Sequence, residues 1–220
     1  MSKIYLDLTE HYNHTMVLED NIQLDDENNV GIVEHYIKKD TFRLNEIIQN
    51  GDLECIFRKN KKGQDNVICN SQVLKIKRQK IRKITIFGFS CWGYFKEYLT
   101  LKCTNGTKFN AKAHFADFAY SGLNVAKVSL KKDRENYVDM SKEFCSLDLN
   151  TGTGYMYYYE TEYDKPIEVD EIIFPDNCFM NIFAITLETE EVNDKNNSPS
   201  RVSELYQEYK RQLFYKNLEK

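Results

Sequence analysis

The one tryptophan of the chain, Trp92, sits in the run Ser90-Cys91-Trp92-Gly93-Tyr94-Phe95. An aromatic plane can stack on the C–H face of a sugar ring while polar neighbours fix its hydroxyls. Gly93 allows a turn that would expose the ring, and loops at the end of a sheet are where binding groups are usefully placed. Trp92 and Tyr94 are therefore the candidate stacking groups. The competing reading folds Trp92 back as a core plug.

Other spacings carry weaker chemistry. Tyr155, Tyr157 and Tyr159 share one strand face, either as a binding platform or as cross-strand packing. Glu160 and Glu162 share a face too, roughly 7 Å apart by strand geometry. Such a pair is the minimum for acid/base cleavage of a glycoside. A carbohydrate-active enzyme, a hydrolase or lyase, is thus an alternative function, and two solvated edge acids are the plainer account. Gly88-Phe89-Ser90-Cys91-Trp92 has Trp where a nucleophile elbow needs Gly, so that reading fails. Gly152-Thr153-Gly154 lacks a third glycine and a following helix, and reads as a hairpin. His11 and His14 make one pair where zinc wants three or four convergent ligands. The six cysteines show no C-x-x-C spacing and read as reduced structural thiols, Cys103 among them as a small buried hydrophobe. From Arg58 to Lys83 the chain is strongly basic with little interleaved aromatic residue. That suits a solvated strand face, or pairing with the acidic segment 19–34, better than single-strand nucleic acid.

These groups need elements to position them. Leu99, Leu101 and Cys103 alternate with Tyr98, Thr100 and Lys102, the period of a half-buried strand. Thr104-Asn105-Gly106-Thr107 follows, and Asn-Gly predicts a type I′ hairpin turn into a strand over Lys108–Phe115. Further strands are expected over Ile81–Phe89, Phe179–Leu187, Ile4–Leu8, Leu53–Phe57, Val67–Ile68, Val73–Ile76, Phe144–Leu149 and Tyr155–Tyr163, with another around Ile167–Ile173. Phe179–Leu187 is apolar on both faces and reads as central. Many short strands with turn chemistry between them predict an all-β sandwich or barrel, rather than βαβ units, over residues 1–192. Residues 18–50 read as an irregular surface excursion with one helical turn near Leu44–Ile48. A polar linker over 193–200 leads to an amphipathic helix over 201–220, with Leu205, Tyr209 and Leu213 on its stripe, suited to docking on the sandwich or forming a homo-oligomer.

From Asn66 onward the chain resembles the galactose-binding-domain-like jelly rolls attached to bacterial carbohydrate-active enzymes. The matching pieces are Asn66–Gln72, Ile84–Gly93, Tyr98–Leu101 with its Asn-Gly turn, His114–Phe118, Pro166–Pro175 and Asn181–Leu187; Asp7-Leu8-Thr9 with Tyr12-Asn13 resembles the opening strand. The resemblance implies a jelly-roll β-sandwich acting as a non-catalytic carbohydrate-binding or interaction module. A structural or oligomer-forming protein without a small ligand is a further alternative. The family-like strand order brings His114 and Asp117 next to the Trp92 loop as hydroxyl contacts, and an ionised carboxylate can accept two such bonds. A structural calcium ion is also implied, with no ligands assigned. Phe118 stands where such domains often carry Trp, and Thr104-Asn105 replaces the usual residues before the turn glycine.

Composition narrows the partners. Thirty Lys+Arg oppose 34 Asp+Glu among 220 residues, a net charge of −4. That argues against nucleic acid as a partner of the whole chain. No apolar run approaches the ~20 residues of a membrane helix. An acid interrupts Met1–Leu8 before any apolar signal region forms, so a cytoplasmic location without a cleaved leader is expected.

Overall fold

The computed structural model describes residues 2–18, 36–118 and 142–190. Among them the chain is mostly extended, without α-helix, as the alternation predicts. In chain order the strands are β1 (Ser2–Tyr5), β2 (Val17–Leu18), β3 (Ile37–Lys38), β4 (Ile47–Asn50), β5 (Leu53–Ile56), β6 (Val67–Ile68), β7 (Val73–Ser90), β8 (Phe95–Lys102), β9 (Lys108–Phe115), β10 (Glu143–Leu149), β11 (Gly152–Ile173) and β12 (Met180–Thr189). Ten strands join one sheet in the order β1-β12-β7-β11-β10-β3-β2, with β6 also on β12 and the β8–β9 hairpin on the end of β11. Strands β4 and β5 pair only with each other. No helix of the described residues is long and apolar enough to cross a membrane. The linker expected over 193–200 and the helix over 201–220 lie outside the described residues, as do residues 19–35 of the excursion and the acidic segment with them.

Strand β12 is buried from Met180 through Leu187, the central position its two apolar faces require. Its neighbours are β7 on one side and β1 and β6 on the other. Strand β7 merges two expected strands into 18 residues, and β11 merges two more into 22. Alternation marks strand character but not continuity. Pro166, which a ladder would reject, falls in the register shift between Glu162 and Ile167, where a missing N–H disturbs no pairing. The first half of β7 alternates in burial, whereas Ile84–Ser90 is buried on both faces. Around that half gather Phe57, Phe87, Phe89, Phe144, Tyr157 and Phe183, all at most 1% exposed. Phe57 packs edge-on against Phe183 and Phe144. Burial of each such ring contributes about 1.5–3 kcal/mol.

Two local expectations are corrected. The turn after β8 is not type I′. Gly106 alone takes a positive φ of 83°, its N–H bonds the Cys103 carbonyl at 2.8 Å, and Cys103 N–H bonds Thr107 O at 2.9 Å. This is a type I turn closed by a left-handed glycine, the three-residue solution. Leu44–Ile48 holds no helical turn. Asn45 is left-handed at φ 63° and donates its N–H to Phe57 O at 2.8 Å, after which Ile47 and Ile48 pair with Ile56 and Cys55. The only helical turn nearby is a 3₁₀ turn over Lys39–Thr41.

The basic run is resolved by register. Lys83 bridges Glu160 at 2.9 Å and Glu188 at 2.7 Å, Arg82 meets Glu162 at 3.5 Å, and Arg78 meets Glu168 at 3.2 Å. The partners are acids of β11 and β12, the two strands flanking β7.

Candidate binding site

Strand β7 ends at Ser90 and β8 begins at Phe95, so Cys91–Tyr94 form a four-residue turn. Its second residue, Trp92, adopts φ 68°, and Gly93 adopts φ 126°. Left-handed backbone costs a residue with a Cβ about 1–2 kcal/mol, and a bulky side chain there is an outlier. The residue is 66% exposed, so the core-plug reading does not hold.

The turn is clamped from beneath. Gly93 N–H donates to Asp117 Oδ2 at 3.0 Å. The Ser90 hydroxyl donates to the Gly93 carbonyl and lies 3.2 Å from the Phe115 carbonyl, its alternative acceptor. Cys91 N–H donates to Phe179 O at 2.8 Å, and Ser90 N–H to Ala116 O at 2.9 Å. Asp117 lies beside Ser90 in a parallel bridge and is only 8% exposed. Its own carbonyl accepts a bond from the Tyr157 hydroxyl at 3.2 Å. Phe118 follows, stacked on Phe89 with centroids 5.0 Å apart.

The structure therefore brings Trp92, Tyr94 and Asp117 together, in different roles. Trp92 projects outward. Tyr94 is half-buried and packs against the core. Asp117 is buried and fixes the turn backbone. His114, on β9, is 6% exposed and lodged between Tyr98 and Tyr159, with ring centroids 5.5 and 4.9 Å away. Two residues that sequence reasoning did not assign to the site join it. Phe179 is 42% exposed and stacks on Phe95 at 5.6 Å, with the ring planes nearly parallel at 11°. Asn181 is buried behind the turn, its Nδ2 bonding Cys91 Sγ at 3.4 Å and its Oδ1 without a hydrogen-bond partner among the described residues. Phe179 had looked like the first residue of an apolar strand; its carbonyl bond to Cys91 is what places it at the turn.

The other constellations are structural in form. Tyr157 and Tyr159 are buried, so the tyrosine stripe packs rather than presenting a platform. Glu160 and Glu162 are each engaged by a cation of β7. Burial pushes the Cys91 thiol up to about 12, which removes thiolate character at neutral pH. All six cysteines are free, and Cys103 is buried as its alternation implies. His14 is buried, which lowers its pKa, and its Nδ1 lies 3.3 Å from Asn66 Nδ2. Beside it Asp65, 2% exposed, accepts N–H bonds from Met16 at 3.0 Å, Val17 at 2.9 Å and the Asn66 amide at 2.8 Å. Burial still raises its pKa to about 6. Among the described residues no three His, Cys, Asp or Glu side chains gather as metal ligands. No family model matches the chain, and no curated protein matches it either.

Proposed function

We propose that this protein is a non-catalytic carbohydrate-binding module of the galactose-binding-like jelly-roll type, with Trp92 as its stacking platform. One observation carries the reading. The only tryptophan is held in strained left-handed backbone, two-thirds exposed, by a buried carboxylate and a set of backbone bonds. Strain of this kind persists where the surrounding structure over-determines it, and it clusters at ligand-binding positions. Packing does not account for it, because most of the ring meets solvent. A rigid, flat, apolar surface on a clamped turn is what stacking against a sugar face requires. Tyr94 shapes the base of the turn, Asp117 positions it, and Phe179 widens the apolar floor beside it. The jelly-roll assignment rests on the sequence resemblance from Asn66 onward, with which the antiparallel run β12-β7-β11-β10 of an all-β fold is consistent.

A glycan array probed with the full chain and with Trp92→Ala tests the reading. Binding by the first and loss in the second is the expected result. Silence of the wild-type chain across the array would favour a structural or oligomer-forming protein instead.

A further inference from the structure

The β8–β9 hairpin leaves the Trp92 turn and runs eight residues out and eight back. Directly opposite residues of an antiparallel pair share a face. Leu99, Leu101, Ala111, Ala113 and Phe115 form the buried face. The register Lys96↔His114, Tyr98↔Lys112, Thr100↔Asn110 and Lys102↔Lys108 defines the other. On it Lys96, Tyr98, Lys108, Asn110 and Lys112 are exposed. Lys102 is held by Glu171 at 2.7 Å. Lys96, Lys108 and Lys112 meet no carboxylate among the described residues, and Glu97 lies on the opposite face, bonded to Asn177. A chain of net charge −4 thus keeps one sheet face basic, with a half-exposed tyrosine in its middle. From Lys96 to Lys102 the face extends roughly 20 Å at the rise of a β-strand.

We infer that the ligand is a linear acidic polysaccharide, which leaves the Trp92 platform and lies along the outer face of β8 and β9. The inference rests on the carbohydrate reading above and names its ligand class. Lys96, Lys108 and Lys112 face the acidic groups, Tyr98 offers a second stacking ring, and Thr100 and Asn110 offer hydroxyl and amide partners between them. Nucleic acid fits less well. Two exposed rings, Trp92 and Tyr98, are too few to make a stacking ladder for successive bases.

The test titrates the full chain with polygalacturonate, heparin, neutral galactan and single-stranded DNA, beside a K96Q/K108Q/K112Q variant. These three side chains are exposed, so the variant should melt at the wild-type temperature. Polygalacturonate or heparin is expected to bind, more weakly at higher salt, and the triple change to weaken binding about tenfold to a hundredfold. Retention of polygalacturonate as the main ligand identifies carboxylate recognition, and of heparin sulfate recognition. Undiminished binding by the triple variant overturns the inference. Trp92-dependent binding of neutral galactan alone overturns it and leaves the carbohydrate reading standing. Lysine-dependent binding of DNA alone overturns it in favour of nucleic acid, and absence of any saccharide binding removes both.

Discussion

Replacing Trp92 separates a binding platform from a structural plug, because the two have different energies. A tryptophan enclosed in a core removes up to ~250 Å² from water. At 66% exposure only a third of such a surface is covered here, about 80 Å², or ~2 kcal/mol at most at 25 cal/mol per Å². Trp92→Ala removes that contact and keeps a Cβ at φ 68°, so it should cost about 1–2 kcal/mol. Trp92→Gly removes the same contact and also relieves about 1–2 kcal/mol of left-handed strain, leaving a net change near zero. Glycine should therefore be the more stable of the two by about 1 kcal/mol. Urea unfolding followed by far-UV circular dichroism measures both, with no need for the lost fluorophore. A loss of ~3–5 kcal/mol in the alanine variant, the range for deleting a buried aromatic, would refute the reasoning. So would a glycine variant less stable than the alanine one.

Three further outcomes follow from the same geometry. A Cβ on Gly88 would lie 2.2 Å from Asn181 O and 3.0 Å from the Phe115 ring; Gly88→Ala should cost about 3 kcal/mol or more, and a wild-type midpoint in urea would contradict the packing described. Lys83, 22% exposed and bridging two glutamates, should cost about 1–3 kcal/mol on change to Gln, whereas Arg82→Gln, with its exposed partner, should cost less than ~1 kcal/mol; equal losses would contradict the burial argument. Burial holds the Asp65 carboxyl at about 6 in the folded chain, above the ordinary aspartate value of 3.8, so its native form binds the proton more tightly than the unfolded chain. Its contribution to stability is fully present below pH ~4 and is lost as pH rises through about 6, a change of roughly 3 kcal/mol. Unfolding free energies of wild type and Asp65→Asn, compared from pH 4 to 7, should differ by that slope; parallel curves would show that Asp65 does not titrate in this range.

Strand identity was readable because alternation is a local property. β9 spans Lys108–Phe115 and β6 Val67–Ile68, the bounds that alternation and turn residues give. Continuity was not readable, since whether Pro166 ends a strand or sits in a bulge depends on what β7 places opposite it. The ion pairs of Lys83 and Arg82 depend on cross-strand register, which no single segment contains. The burial of Asp65 was not readable, because the N–H groups it accepts from belong to Met16 and Val17, nearly fifty residues away. The candidate site divides in the same way. Residue type singled out Trp92, but its outward direction goes with a left-handed φ in a turn whose next residue, Gly93, is tied to Asp117, 24 residues further along the chain. The same bond places Asp117 beneath the turn, and His114 sits among tyrosines that lie far apart in sequence.

The central claim is that the Trp92 ring itself meets a sugar, and the chain carries its own reporter. Trp92 is the sole tryptophan, so the intrinsic emission of the full chain excited at the indole band comes from the proposed contact. Titration with whichever of polygalacturonate and neutral galactan the chain binds should shift that emission to shorter wavelength and shield it from acrylamide, saturating at the same concentration as binding measured by calorimetry. Saturable binding that leaves both emission and quenching unchanged would contradict the account.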